Sequence, residues 1–118
     1  MRKIEKLMLD AIRDRKDFKL DNTQVICTQF IHGDRKIDRV NVLLHGSTIA
    51  IITPQEVDVS DCGWQTPTTK SRLNAILREL CGAGIYQRNH KWLAYAEGEE
   101  DWEVPIGSRQ LFYRGDDA

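Results

Sequence analysis

The chain has 118 residues, of which 41% are hydrophobic and 30% charged, with a formal net charge of -1. This length suits one modest core, so we expect residues 1–118 to form a single domain. The charge balance lacks the basic excess typical of nucleic-acid-binding proteins. No apolar stretch approaches the roughly 20 residues that span a membrane. The N-terminus also lacks the apolar segment of a signal peptide, so we expect a cytosolic protein.

The first half of the chain shows the pattern of one helix followed by a meander of strands. Apolar residues recur at helical spacing within residues 3–16. Residues 23–32 and 39–45 resemble two strands joined by a turn at Gly33-Asp34. Residues 48–53 are almost wholly apolar, which is typical of a central strand covered on both faces, and residues 57–60 add a short strand.

A second helix follows a run of threonines. Either Thr68 or Thr69 can cap it, and either Gly82 or Gly84 can end it. Its apolar stripe has the spacing i, i+3, i+4, i+7 and consists of Leu73, Ile76, Leu77 and Leu80.

The remaining pattern is strand-like. Residues 84–88 and 92–96 predict a hairpin around Asn89-His90, and residues 102–104 and 110–113 predict edge strands. The whole pattern predicts an α+β fold with an antiparallel β-sheet of about five to seven strands. An N-terminal helix and a central helix are expected to pack on this sheet.

Catalytic signatures are missing from the sequence. It contains no phosphate-binding Walker loop, no Gly-x-Ser-x-Gly elbow and no His-Glu-x-x-His pair. We therefore expect no enzyme, no cofactor and no metal site, although a histidine–cysteine pair brought together by folding stays open. The cysteines are expected as small buried residues and the histidines as exposed turn residues; they are Cys27, Cys62, Cys81, His32, His45 and His90.

The start of the second helix is the best candidate for a binding site. Thr68 and Thr69 offer hydroxyls, and Lys70 and Arg72 add positive charge beside first-turn amides. These groups could bind phosphate, or the threonines could simply cap the helix. Arg72 and Asn74 either contribute to the site, face solvent or brace a neighbouring strand.

Aromatic and basic residues of the second half give a further set of candidates. Tyr86 and Arg88 share one face of a strand, Asn89 can read the edge of a base, and guanidinium groups bind phosphates. The alternative to ligand binding is core packing or a subunit interface for each aromatic residue, and a solvent-exposed position without a ligand for each arginine. The aromatic set is Trp64, Tyr86, Trp92, Tyr95, Trp102, Phe112 and Tyr113, and the arginines flanking the last strand are Arg109 and Arg114.

Residues 63–74 resemble a Gly-Trp-x-Thr-x-Thr-Thr-Lys-x-Arg-Leu-Asn pattern of small phage proteins. Residues 44–50 and the hairpin that ends at Trp92 are similar as well. Over residues 40–93 the chain thus resembles the Thoeris anti-defence sponge proteins of the first-described type.

The resemblance implies a phage protein that sequesters a cyclic ADP-ribose isomer, or a related cyclic nucleotide signal, in the host cytoplasm without cleaving it. It implies a homodimer or higher homo-oligomer with pockets between subunits, and in some members a second site for cyclic oligonucleotides. The ligand contacts that it suggests are Tyr86 or Trp92 for an aromatic, Asn89 for an amide, and Arg109 and Arg114 for phosphate.

Two other functions stay open. A protein–protein inhibitor could use the acidic loop at residues 97–103 as a mimic of nucleic acid. A small nucleic-acid-binding module could use Lys70, Arg72 and the N-terminal cations.

Overall fold

The computed structural model describes residues 1–115. Two helices and nine strands lie in this range: α1 Lys3–Asp14, β1 Phe18–Leu20, β2 Thr23–His32, β3 Arg35–Leu44, β4 Ser47–Ile52, β5 Glu56–Ser60, α2 Pro67–Cys81, β6 Gly84–Arg88, β7 Lys91–Tyr95, β8 Trp102–Glu103 and β9 Arg109–Tyr113. One antiparallel sheet has the order β1-β2-β3-β4-β5-β9, and a second has the order β6-β7-β8. The predicted α+β class is confirmed.

The core lies between one face of the six-stranded sheet and the two helices. Val25, Val42, Ala50 and Val59 are paired across four neighbouring strands and are at most 1% exposed. Helix α1 contacts β2 and α2, while α2 contacts β4, β5, β6 and β9. The alternation of strand side chains therefore directs every second residue of the sheet into this core.

Side chains on the opposite face of the sheet form a second continuous row across its strands. Ile26, Asn41, Ile51, Asp58 and Leu111 are paired in register from β2 to β9. The first four are half-buried and Leu111 is exposed. Strand β4 is central, as predicted, but Ile51 is only half-buried, so the expectation of full cover on both faces is wrong.

The division into two sheets is the main departure from the predicted single sheet. Strand β9 returns to pair with β5, whereas β6 to β8 pair only with one another. The rings of Trp102 and Phe112 are 5.5 Å apart and join the two sheets. Hydrophobic periodicity marks where strands occur but not which edges meet, because pairing partners are set by the path of the whole chain.

Several element boundaries also differ from the prediction. Helix α1 ends at Asp14 because Arg15 adopts a left-handed conformation with φ 52°. Strand β3 begins at Arg35, since the ladder with β2 continues to the Gly33-Asp34 turn. Short β1 was not predicted. The Asn89-His90 turn is confirmed, with φ values of 52° and 65° that suit a type I′ hairpin.

Candidate functional site

A cleft of about 660 Å³ opens at the N-terminus of α2. Its walls are the turn between β3 and β4, the start of β4, the turn after β5 and the first helical turn of α2. Leu44 and Ile49 are buried and give it an apolar floor. This volume lies within the range of about 300–1,000 Å³ that is usual for small-molecule sites.

The helix that borders the cleft is capped by Thr66 and not by the predicted Thr68 or Thr69. The Thr66 hydroxyl accepts the Thr69 N–H at 3.1 Å and lies 2.9 Å from the Thr69 hydroxyl. Pro67 occupies the first helical position, where its missing N–H has no cost. Thr69 is 2% exposed and committed to this cap. Thr68 is half-buried on the cleft wall and is the member of the pair still open to a ligand.

The turn after β5 holds a buried carboxylate against the cleft. Asp61 is 2% exposed, and its Oδ1 accepts the N–H groups of Gly63 and Gly107, both at 2.8 Å. Its Oδ2 is enclosed and has no hydrogen-bond partner within residues 1–115. Cys62 and Gly63 both have positive φ, as a type I′ turn requires. A buried acceptor without a donor is costly, so this oxygen favours a ligand that donates a hydrogen bond.

The same turn presents an indole to solvent. The backbone N–H of Trp64 donates to the backbone carbonyl of Asp61 at 2.9 Å, which closes the turn. The Trp64 side chain is nevertheless 67% exposed at the mouth of the cleft. Indole faces stack well on nucleobases, so this ring offers a stacking surface at the cleft mouth.

Arg72, predicted as a ligand contact, instead stabilises the fold. Its side chain is 4% exposed, and Nη1 donates to Glu5 at 2.8 Å. Its Nε donates to the Thr23 hydroxyl at 3.0 Å, while Ser71 donates to the same Glu5 carboxylate. The guanidinium thus links α2 to α1 and β2. Because it is buried and bonded within the chain, the prediction that Arg72 contacts a ligand is wrong.

Asn74 likewise braces a strand, which was one of its open alternatives. Its Nδ2 donates to the Ile85 carbonyl at 2.8 Å, and its Oδ1 accepts the Ile85 N–H at 2.6 Å. The amide therefore supplies β6 with the two bonds that a neighbouring strand would have made. Both polar ends are occupied and buried, so Asn74 is withdrawn as a ligand contact.

The hairpin candidates do not reach this cleft, whose walls contain none of them. Trp92 is 3% exposed within the core, which leaves no ring face for stacking. The Tyr86 hydroxyl donates to Asp101 at 2.6 Å, and this bond raises the pKa of Tyr86. Arg88 and Asn89 are exposed at the β6–β7 turn. Tyr86, Arg88 and Asn89 therefore lie on the β6–β7 hairpin, apart from the cleft.

The two late arginines do not form a common phosphate site within one chain. They are separated by the length of β9, about 17 Å in an extended strand. Arg109 pairs with Asp58 at 3.2 Å and is exposed, whereas Arg114 donates to the Thr53 carbonyl at 3.0 Å. The fork that the arginine pair suggested is therefore not assembled in the monomer.

The cysteines and histidines follow their predictions in part. All three histidines are exposed at or beside turns, as predicted, but the three cysteines are free and only half-buried. Burial raises the pKa of the Cys81 thiol to about 11. His45 and Cys62 both line the cleft, yet the Cys62 thiol donates to the Thr48 carbonyl at 3.0 Å. Within residues 1–115, no group of three or more metal-binding side chains is arranged around a common point.

Asp61 is the cleft residue that the sequence did not single out. Trp64 was among the aromatic candidates, with core packing or a subunit interface as the alternative, because a sequence does not reveal the exposure of a single ring. The Asp-Cys-Gly-Trp string was the available signal, since aspartate before a glycine-containing turn often bonds to the turn's own backbone. The burial of this carboxylate depends in part on the distant Gly107, whose N–H donates to Oδ1, and cannot be inferred from local sequence.

Comparison with known proteins agrees with the phage part of the resemblance. No curated protein and no solved structure matches the chain. No helix within the described range, residues 1–115, is long and apolar enough to cross a membrane. The family model described as the Kyanoviridae Gp96 protein matches residues 1–115, nearly the whole length. The chain therefore belongs to the Kyanoviridae Gp96 family of phage proteins.

Proposed function

We propose that this phage protein binds a nucleotide-derived immune signal in the α2 cleft and sequesters it without chemical change. The ligand class that we propose is a cyclic ADP-ribose isomer or a related cyclic nucleotide, held in the host cytoplasm. One observation carries the proposal: Trp64, Asp61 and Thr68 line a single cleft.

Each of these groups suits one part of such a ligand. The exposed Trp64 indole offers a stacking surface for adenine. Asp61 Oδ2 has no partner within residues 1–115 but is enclosed, so a ribose hydroxyl or an exocyclic amine can donate to it only when the turn opens towards the cleft. The positive end of the α2 dipole, with the Thr68 hydroxyl on the cleft wall, favours a pyrophosphate.

The state of Cys62 supports capture more than cleavage. A nucleophilic cysteine acts as a thiolate, but the Cys62 Sγ donates its proton to the Thr48 carbonyl. A sponge must also bind tightly and release slowly. Nanomolar affinity corresponds to about -12 kcal/mol.

The resemblance to the Thoeris anti-defence sponges supports the choice of ligand but suggested other contacts. The suggested contacts, Tyr86 or Trp92, Asn89, Arg109 and Arg114, lie outside the cleft walls in the monomer. We therefore place the ligand against the turn after β5, next to the threonine motif that carries the resemblance.

Calorimetry tests the proposal directly. Cyclic ADP-ribose isomers are titrated into the protein, with linear ADP-ribose and AMP as comparison ligands. Trp64→Ala is expected to weaken the Kd about 5- to 150-fold, because stacking on an aromatic contributes about 1–3 kcal/mol per base. Asp61→Asn keeps the Oδ1 acceptor for the two glycine amides but replaces the free acceptor by a donor, so it is expected to weaken binding as well.

Ile31→Ala is the matched control, because Ile31 is an equally exposed apolar residue at 74% and lies on the distant β2–β3 hairpin. The ligand is then released by heating and weighed by mass spectrometry. Recovery of intact ligand supports sequestration. Absence of binding by all cyclic nucleotides at 100 µM, about 100,000-fold above a nanomolar Kd, would overturn the proposal. Recovery of a cleaved product would instead make the protein an enzyme.

A further inference from the structure

We infer that the outer part of the β2–β3 hairpin is a docking arm that enters the major groove of double-stranded DNA. The arm consists of residues 28–39. Leu44, which lines the cleft, lies at the other end of β3, about 30 Å from Arg35 along an extended strand. The arm and the cleft are therefore separate sites.

The arm projects beyond the rest of the six-stranded sheet. Strand β4 pairs with β3 only from Val40 onwards, and β1 pairs with β2 only as far as Val25. The pairs from Thr28–Arg39 to His32–Arg35 therefore form a ribbon of two strands within residues 1–115. Such a ribbon spans about 17 Å, and the major groove of B-DNA, about 12 Å wide, admits a two-stranded ribbon. The dimensions of the arm thus suit this groove.

Alternation along the two strands separates the charges of the arm onto two faces. Asp38 and Lys36 lie on the same face as the core residue Val40, and Arg15 pairs with Asp38 there at 2.7 Å. The outer face is the opposite one, and it contains no carboxylate. Its side chains are those of Thr28, Phe30, His32, Arg35, Ile37 and Arg39. The net charge of -1 for the chain is therefore not representative of this face, whose charged groups are cations.

Three cations of the outer face have no acidic partner in the chain. Lys19 of β1 is paired with Gln24, four residues before Thr28, so it lies on the same face as Arg35 and Arg39. None of these three cations forms an ion pair within residues 1–115. Uncompensated positive charges on one face attract a polyanion and raise its rate of association.

Arg39 is fixed in position without an acidic partner. Its guanidinium lies 4.4 Å from the centroid of the Phe30 ring, and its Nε is enclosed with no hydrogen-bond partner in the described range. Glu56 and Asp58 lie on the same face of the sheet, but on β5, two strands or about 10 Å from β3. Asp58 is already paired with Arg109. The Arg39 guanidinium is therefore suited to a phosphate or to the edge of a guanine base.

The spacing of the cations indicates an extended ligand. Lys19, Arg39 and Arg35 are level with every fourth residue of β2, so neighbouring cations are about 13 Å apart along the strand. A small anion would contact one of them, whereas a duplex has a phosphate charge about every 1.7 Å of its axis and can contact all three. Single strands bind by stacking bases on aromatic rings, but Arg39 covers one face of the Phe30 ring. This arrangement favours a duplex.

Fluorescence anisotropy with a labelled DNA duplex of about 20 base pairs, two helical turns, tests the inference. Each phosphate contact contributes about 0.9 to the slope of log K against log salt, so three cations predict a slope of about -2.7. The Kd is then expected to weaken about 40-fold between about 50 mM and about 200 mM NaCl. Arg35→Gln and Lys19→Gln are each expected to reduce the slope by about 0.9.

Lys36→Gln is the matched control, because Lys36 is exposed and adjacent to Arg35 but lies on the opposite face of the arm. It is expected to leave the slope and the Kd unchanged. Duplex RNA of the same sequence is expected to bind at least tenfold more weakly, because its major groove is too narrow for side chains to read.

Three results would each overturn the inference. The first is no binding of duplex DNA at about 50 mM NaCl and about 100 µM protein, the weak limit of non-specific binding. The second is a loss for Lys36→Gln as large as that for Arg35→Gln. The third is binding of single-stranded DNA or duplex RNA as tight as that of duplex DNA, which would exclude docking in the major groove.

Discussion

Replacing Arg72 by alanine distinguishes a structural role from a ligand-binding role for the threonine motif. The change removes a guanidinium that is 3% exposed and leaves Glu5, 4% exposed, without its cation. Removing one partner of a buried ion pair typically costs about 3–5 kcal/mol, because the remaining charge keeps its desolvation penalty. A natural domain has about 5–15 kcal/mol in total, so we expect Arg72→Ala to be severely destabilised.

Urea unfolding followed by tryptophan fluorescence measures this loss by linear extrapolation. Arg78→Ala is the matched control, because Arg78 is exposed on the same helix, and a change within about 0.5 kcal/mol is expected. The double variant Arg72→Met with Glu5→Leu should recover most of the stability, since an apolar pair of similar volume can replace a buried ion pair. An Arg72→Ala protein within about 1 kcal/mol of the wild type would refute this reasoning.

Three further changes probe the remaining contacts. Asn74→Ala should cost about 2–3 kcal/mol in urea unfolding, because it leaves the buried N–H and C=O of Ile85 without partners. Asp101→Asn should lower the pKa of Tyr86 towards its ordinary value in an ultraviolet titration; an unchanged titration would contradict the hydrogen bond that raises this pKa. Burial raises the pKa of Cys81 to about 11 from its ordinary value of 9.0, so the unfolded thiol ionises first. Stability should consequently fall as the pH rises from about 9 to about 11, and Cys81→Ala should flatten this loss in urea unfolding measured at each pH.

The local elements were predictable because they depend on neighbouring residues. The stripe of α2, the strands of the meander and the Asn89-His90 turn follow from periodicity and turn chemistry. The helix cap was displaced by only two or three residues, to Thr66, because several hydroxyls in succession can each serve as a cap. The split into two sheets was not predictable, because it depends on the pairing of β9 with β5 across α2 and the second sheet.

The site was harder to predict than the fold, since residue type does not report direction. Arg72 and Asn74 have side chains suited to ligands, yet helical geometry turns both inward to Glu5 and Ile85. Trp64 has a side chain suited to a core, yet the type I′ turn before it directs the indole into solvent. Burial, which decides these roles, is a property of the packed chain.

The threonine motif, residues 63–74, combines residues that stabilise the fold with residues that line the cleft. Thr66, Arg72 and Asn74 are occupied by contacts within the chain, which tie α2 to its own cap, to α1 and to β6. These contacts stabilise the fold and do not depend on a ligand. Selectivity for the proposed ligand is then expected from the turn at the start of the motif, where Asp61 and Trp64 line the cleft. Phage proteins that keep Thr66, Arg72 and Asn74 but differ at Asp61 and Trp64 are consequently expected to share the architecture and to bind a different ligand.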